Sequence, residues 1–280
     1  MFRFYFNSEK WNPTREQWLA ATRCITTKEL ERIHRFVFQR DAKSALVGQL
    51  LIRFILSKAF PQSSSSFVVE RTPYGRPQII SNPSFDFNLS HQYQLVCIAG
   101  TFDGRVGCDT MEYRVNAPRR DSIESTANLL QREFTPTEYD FIVRTSSDET
   151  VRFQHFHRIW SLKESYVKWL GQGVGYPLAQ LNFSIRTREF DSSQPDQIVS
   201  DTNLEINQQS VRDELRFDEQ IVYLDDNEQQ ILTVCLKPTH QCQPFVEVSI
   251  EDLLNARVPL NTNENADENW WLLFEKQKLS

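Results

Sequence analysis

The amino-acid sequence predicts an α+β fold of two related subdomains, a pseudo-dimer in which each half packs helices on a small, mostly antiparallel sheet. Three observations carry this expectation. Apolar residues recur at helical spacing in both halves, short alternating runs rich in Phe, Val and Ile follow or interrupt them, and turn residues separate those runs. With 280 residues, 40% hydrophobic and 24% charged, the chain can bury one large core or two modest ones, and 20 Phe point to cores filled by rings. Residue identity shows no internal repeat. The boundary is placed near Asp103, giving an N-terminal subdomain over 1–103 and a C-terminal subdomain over 104–280 whose tail packs back on the body.

In chain order, Met1 to Asn7 alternates like a strand. Asn12-Pro13 starts a helix with Trp18 and Leu19 on its apolar side. Thr26 and Glu29 form a capping box for a second helix, continued by Leu30, Ile33 and Val37. A long helix spans Arg40 to Ala59 and stops at Pro61. Ser63 to Ser66 is a polar loop, too short for a domain linker. Phe67 to Glu70 and Gln78 to Ile80 are strands joined by a turn that carries Arg71 and Arg76. Phe85, Phe87 and Leu89 alternate with Asp86, Asn88 and Ser90, and Tyr93 to Ala99 makes the next strand. Asp103-Gly104 turns, and Arg105 to Asp109 is a strand that ends on its carboxylate.

The second half opens with a helix over Asp121 to Gln131. Thr135-Pro136-Thr137-Glu138 then combines an N-cap, an N1 proline and an N3 glutamate. Beyond a polar loop, Phe153 to Leu170 sets Phe156, Ile159, Trp160, Val167 and Leu170 at helical spacing, and Gly171 stops the run. Glu164 and Lys168 share a face of that helix, one turn apart, while Lys163 projects about 100° away. Gly171 to Gly175 follows a helix, whereas a dinucleotide-binding loop follows a strand, so a flexible exit is expected. Leu181 to Ile185, Gln220 to Leu224, Ile231 to Leu236 and Phe245 to Ile250 are strands, with Asp225 to Glu228 closing the middle pair as a hairpin. Phe190 to Gln209 is polar enough for a mobile surface loop. The tail is acidic until Trp270-Trp271-Leu272-Leu273-Phe274, an apolar cluster expected to pack on the body.

Net charge is −6 and the pI ≈ 5.5, so the whole-molecule field repels nucleic acid and any anionic ligand needs a local basic cluster. No apolar run reaches bilayer-spanning length, and the first residues lack the apolar core of a signal peptide, so no membrane association is expected. The five cysteines form no C-x-x-C pair and fit buried free thiols of a reducing compartment, which makes the cytoplasm the expected location.

Five short stretches could carry chemistry, and each has a plainer reading alone. Arg40 is a helix charge, Arg71 to Pro77 a solvated hairpin, His91 a satisfied structural histidine and Asp109 a turn-former. Glu164 with Lys168 is an exposed ion pair worth about 0.3–0.5 kcal/mol. Their order changes that reading. Arg40-Asp41-Ala42-Lys43, Arg71-Thr72-Pro73-Tyr74-Gly75-Arg76-Pro77, Phe87-Asn88-Leu89-Ser90-His91, Val106-Gly107-Cys108-Asp109 and Trp160-Ser161-Leu162-Lys163-Glu164-Ser165-Tyr166-Val167-Lys168 resemble successive motifs of the Sfp-type 4′-phosphopantetheinyl transferases. Within that family the likeness is to the eukaryotic cytosolic branch, the L-aminoadipate-semialdehyde dehydrogenase phosphopantetheinyl transferases. The last motif is specific, the others individually weak, and the likeness runs from Arg40 to Leu170.

The resemblance implies transfer of 4′-phosphopantetheine from coenzyme A to a serine of an apo acyl-carrier or peptidyl-carrier domain. Such domains occur in proteins of the fatty acid synthase and aminoadipate-semialdehyde dehydrogenase type, and adenosine 3′,5′-bisphosphate leaves. It also implies a monomer with the site between its subdomains. Asp109 and Glu164 would hold Mg²⁺ on the pyrophosphate, Glu164 would deprotonate the serine directly or through water, and Lys168 would neutralise the breaking pyrophosphate. Arg40, Arg71, Arg76, Asn88, Ser90 and His91 would line the coenzyme A site, with Arg40 and His91 at its 3′-phosphate. One departure stands out. Many members carry Asp-x-Glu at the first metal motif, but Met111 holds the second ligand position here, and Glu112 points to the opposite face of a regular strand. Because Mg²⁺ keeps water ligands, two carboxylates with phosphate oxygens remain a workable set. Met111 also motivates an alternative, a catalytically weak coenzyme A- or carrier-binding member of the same fold. An interaction domain built on the Trp270-Trp271 tail leaves Asp109, Glu164 and Lys168 unexplained.

Overall fold

Two long helices, each laid on a four-stranded sheet, organise the molecule. The computed structural model describes residues 1–114, 121–173, 175–191, 194, 196–224, 228–239, 241–256, 259–260 and 264–279. Its first half contains β1 (Phe2–Asn7), α1 (Arg15–Thr22), α2 (Thr27–Ile33), α3 (Gln39–Ala59), β2 (Val69–Arg71), β3 (Pro77–Ile79), β4 (Asp86–Gln92) and β5 (Leu95–Thr101). The second half contains β6 (Gly107–Arg114), α4 (Ile123–Leu129), α5 (Pro136–Arg144), α6 (Glu149–Leu170), β7 (Leu181–Ser184), β8 (Ile198–Val199), β9 (Asn203–Ile206), β10 (Gln209–Ser210), β11 (Arg216–Tyr223) and β12 (Gln229–Leu236). β13 (Val246–Glu247), α7 (Ile250–Asn255) and α8 (Glu264–Glu275) close the chain.

Among the described residues, the sheet β13-β1-β5-β4 carries α3, and the sheet β6-β12-β11-β8 carries α6. Strand neighbours are antiparallel except β1 with β13. The architecture is the expected α+β, with two halves of like construction. The end of the chain returns to its beginning, because β13 adds beside β1 and the Phe274 ring of α8 stacks on Trp18 at 3.9 Å.

Local chemistry explains where elements start. α1 begins at Arg15, not at Asn12-Pro13, because the Thr14 hydroxyl accepts the Gln17 N–H and the Gln17 side chain returns to the Thr14 N–H. Thr26 caps α2 through the Glu29 N–H, but the Glu29 carboxylate turns to Arg32 and Arg71, so the expected box is only half formed. Val37 lies beyond α2 and is exposed. Thr135 and Glu138 form the complete box at α5.

Other expectations need correcting. β6 runs on past Asp109 to Arg114, so that carboxylate sits within a strand. Ser64–Ser66 is a 3₁₀ turn. Within 190–209 the described residues include β8 and β9, held by buried Val199 and Leu204. Ser249 and Asp252 cap α7 where the last strand was expected to continue. Cys242 is exposed, whereas the other four free cysteines are buried. The turn expected at Asp225 to Glu228 lies mostly outside the described residues, although β11 and β12 pair antiparallel.

α6 is fixed on several sides. Inside the second half, the Lys163 ammonium is 2.8 Å from the Glu138 carboxylate, with both side chains at 0% exposure. It also donates to the carbonyls of Leu178 and Leu181. Burial pushes the Lys163 pKa down, and attraction to Glu138 only partly offsets it. Arg158 forms a second buried pair with Glu219, bidentate at 2.9 and 3.0 Å. At its other end α6 presses on β6, where a Cβ added to Gly107 would sit 2.1 Å from the Ser165 carbonyl and 2.3 Å from the Trp169 nitrogen. Gly107→Ala is therefore expected to lose at least the roughly 1–3 kcal/mol of an overpacked core. Urea unfolding checks this, and stability equal to that of the parent would show that the helix can shift freely.

Candidate functional site

The halves meet where β4 lies beside β6, stitched by side chains. The Asn88 amide oxygen accepts the Cys108 N–H at 2.8 Å, and the Asp86 carboxylate accepts the Val106 N–H at 2.8 Å. Along this seam opens a cavity of about 930 Å³, lined on one side by α2, α3, the β2–β3 hairpin and β4, and on the other by α6 and residues 176–179. Its size suits a cofactor-sized ligand.

Three elements bring their polar groups together at the seam. Asp109 of β6 accepts from the Ser90 hydroxyl of β4 at 2.9 Å and from the Lys168 ammonium of α6 at 2.5 Å, and Lys168 also reaches Ser90 at 2.7 Å. Burial pulls the Lys168 pKa down, but attraction and hydrogen bonding to Asp109 outweigh it and leave the pKa raised. Glu164 stands one turn earlier, half-buried and lining the cavity. Its pKa is raised, first by loss of water and then by repulsion from Asp109, with Lys168 acting the other way. Its carboxylate has no hydrogen-bond partner among the described residues. The second Asp109 oxygen is buried with none either.

The other expected residues divide. His91 lines the cavity, and its pKa is lowered by loss of water and then by the positive charges of Lys168 and Arg32. Arg71 also lines it, held by the Glu29 carboxylate at 2.9 and 3.1 Å. Arg76 is there as well, but its guanidinium is taken by the carbonyls of Lys168, Phe87 and Val106 and by Asp86. It caps the end of α6 from the opposite half and so sets where Lys168 stands. Asn88 is likewise committed to the seam. Arg40 is not among the lining residues; its guanidinium lies 3.6 Å from Asp41 and over the Phe38 ring.

Glu112 does not enter the site. Its carboxylate is 3.2 Å from His157, eleven residues before Lys168 and so about 16 Å away along α6. Both Asp109 and Glu112 thus reach α6, which simple alternation did not predict, and the strand register shifts beside Glu112 at Gln229/Gln230. The Met111 sulfur accepts from the Gln92 amide at 3.2 Å. Among the described residues no cluster of three His, Cys, Asp or Glu side chains is placed to hold a metal. Two carboxylates that repel each other, one with an orphaned buried oxygen, nevertheless fit a hard cation that completes its shell with water and phosphate.

A cationic wall, two carboxylates and a lysine around one cavity suit handling of a polyphosphate. Residues 9–103 match the family model described as 4′-phosphopantetheinyl transferase, N-terminal, and residues 105–235 match the 4′-phosphopantetheinyl transferase superfamily. The chain belongs to that superfamily. It is 31% identical to the L-aminoadipate-semialdehyde dehydrogenase-phosphopantetheinyl transferase of Homo sapiens, over 97% of this chain and 90% of that one. Identity to the Xenopus laevis protein of the same name is 29%, over 99% and 93% of the two chains. A 4′-phosphopantetheinyl transferase of Bacillus subtilis is 28% identical over 59% of this chain and 67% of its own.

This transferase also places in its cavity residues that the motifs did not single out. Arg32 lines the wall beside Arg71, and the same Glu29 carboxylate holds both. The spacing of Glu29 and Arg32, three residues apart on a helix, was the available signal, but a capping role absorbed it. Arg132 lines the side formed by the second half, together with Trp160 of the last motif.

Proposed function

We propose that this transferase moves 4′-phosphopantetheine from coenzyme A to a serine hydroxyl of apo carrier domains, as a Mg²⁺-dependent cytoplasmic monomer. The observation that carries the proposal is the convergence of Asp109, Ser90 and Lys168 beside Glu164 at the seam. The names of the human and Xenopus relatives point to a carrier of the aminoadipate-semialdehyde dehydrogenase type. Fatty acid synthase carriers are the second candidates.

Arg32, Arg71 and His91 bind the anionic coenzyme, and Asp109 with Glu164 would hold Mg²⁺. The metal would supply positive charge to the pyrophosphate oxygens. The serine oxygen forms a bond to the phosphorus bearing pantetheine while the bridging P–O bond breaks, and adenosine 3′,5′-bisphosphate departs. Glu164, directly or through water, takes the serine proton, a role that its raised pKa favours. Lys168 stays protonated and donates to the oxygen on which charge accumulates. Release of adenosine 3′,5′-bisphosphate that needs apo carrier, stops with chelator and resumes with Mg²⁺ is the expected result. Release that ignores chelator would remove the metal from this account.

His91 provides a further check. Its pKa is depressed by desolvation and by neighbouring cations, and a bound anion opposes the second cause. Coenzyme A binding near neutral pH is therefore expected to take up protons, seen as a calorimetric heat that varies with the ionisation enthalpy of the buffer. His91→Gln is expected to reduce that proton uptake.

A further inference from the structure

Both family models end at or before residue 235, yet the chain beyond them is fastened to the wall that carries Arg32 and Arg71. α2 spans 7 residues and buries only Leu30 and Ile33, too little to hold a helix of that length by itself. The tail does so from behind. The Trp270 ring lies 4.7 Å from His34, the residue that ends α2, and Phe274 stacks on Trp18. The Gln277 amide donates to the carbonyl of Phe36 at 2.9 Å and, at 3.5 Å, to that of Ile33, which also accepts the Phe36 N–H in the turn that closes α2. Lys278 exchanges backbone hydrogen bonds with Val37 and Gln39, at 2.9 and 2.8 Å. On the cavity side of the same helix, Glu29 holds Arg32 at 2.9 Å and Arg71 at 2.9 and 3.1 Å.

We infer that the C-terminal tail is a positioning element of the coenzyme A site: through Trp270 and Gln277 it fixes α2, so that Glu29 keeps Arg32 and Arg71 facing the cavity. The inference rests on the transferase reading above. None of the tail's described residues lines the cavity, so it acts on the site through α2, whose Arg32 belongs to the coenzyme-binding wall and not to the group that carries out the transfer.

Full-length Gln277→Ala and Trp270→Ala, with Glu29→Gln for comparison, test this by calorimetric titration with coenzyme A and by steady-state transfer. Gln277→Ala leaves the aromatic packing in place, so it decides the matter if Trp270→Ala does not fold. All folded variants are expected to raise the Kd and KM for coenzyme A, Gln277→Ala by up to about tenfold for the loss of its two hydrogen bonds, with kcat at saturating coenzyme A unchanged. Binding equal to that of a wild-type protein that does bind coenzyme A would overturn the inference and leave the transferase reading standing. A fall in kcat with KM unchanged would overturn it too. A wild-type protein that binds no coenzyme A would bring down both.

Discussion

Glu164→Gln is expected to lower kcat for phosphopantetheine transfer by about 10²–10⁴-fold, the usual worth of a positioned general base. Coenzyme A binding is expected to persist, because Arg32, Arg71 and His91 are untouched. The same substitution is expected to raise the melting temperature of the ligand-free protein near neutral pH. Folding raises the Glu164 pKa, through burial and repulsion from Asp109, so the folded state disfavours its ionised form. The stability associated with the neutral carboxyl is present at low pH and is lost as pH rises through the raised folded value. A neutral amide removes that dependence. Lost activity with unchanged or improved stability marks a residue kept for chemistry. Full turnover in this variant would end the assigned role.

Lys163→Met is expected to do the opposite kind of damage. Lys163 is adjacent in sequence to the catalytic candidate, but its ammonium is paired with Glu138 at 0% exposure and spans to the Leu178 and Leu181 carbonyls. Removing it leaves a buried carboxylate that still accepts the N–H groups of Thr135 and Phe183 but has lost its cation. The cost of breaking such a pair is about 3–5 kcal/mol. That corresponds to a fall in melting temperature on the order of 10 °C. Calorimetry checks it, and residual kcat at low temperature is expected to stay near that of the parent. The double variant Lys163→Met, Glu138→Leu is expected to recover only part of the loss, since it removes the stranded charge but leaves the Thr135 and Phe183 N–H groups without their acceptor.

Residues whose meaning is local were legible before the fold was known. Phe156, Ile159 and Val167 announced α6 by their period, and Thr135 with Glu138 announced the start of α5. The pair Glu164 and Lys168 could be put on one face from spacing alone. Long-range commitments were not legible. Arg76 was recognisable as a cation, but nothing near it in sequence says that three backbone carbonyls and Asp86 occupy its guanidinium. Asn88 looked like a ligand and serves as a stitch to Cys108. Glu29 looked like a cap, because its true partners include an arginine forty-two residues away. The last thirty-odd residues carried no motif, and their packing on Trp18 and His34 follows only from the way β13 returns to β1.

The seam of Asp109, Ser90, Lys168 and Glu164 is proposed to catalyse transfer of one specific group to a carrier serine. Intact mass measurement of an apo carrier domain after incubation with this protein, coenzyme A and Mg²⁺ tests it most directly. The expected result is a mass gain of one phosphopantetheinyl group, absent with Asp109→Ala and absent when the carrier serine is replaced by alanine. A carrier whose mass stays unchanged, across both the aminoadipate-semialdehyde dehydrogenase and fatty acid synthase types, would contradict it.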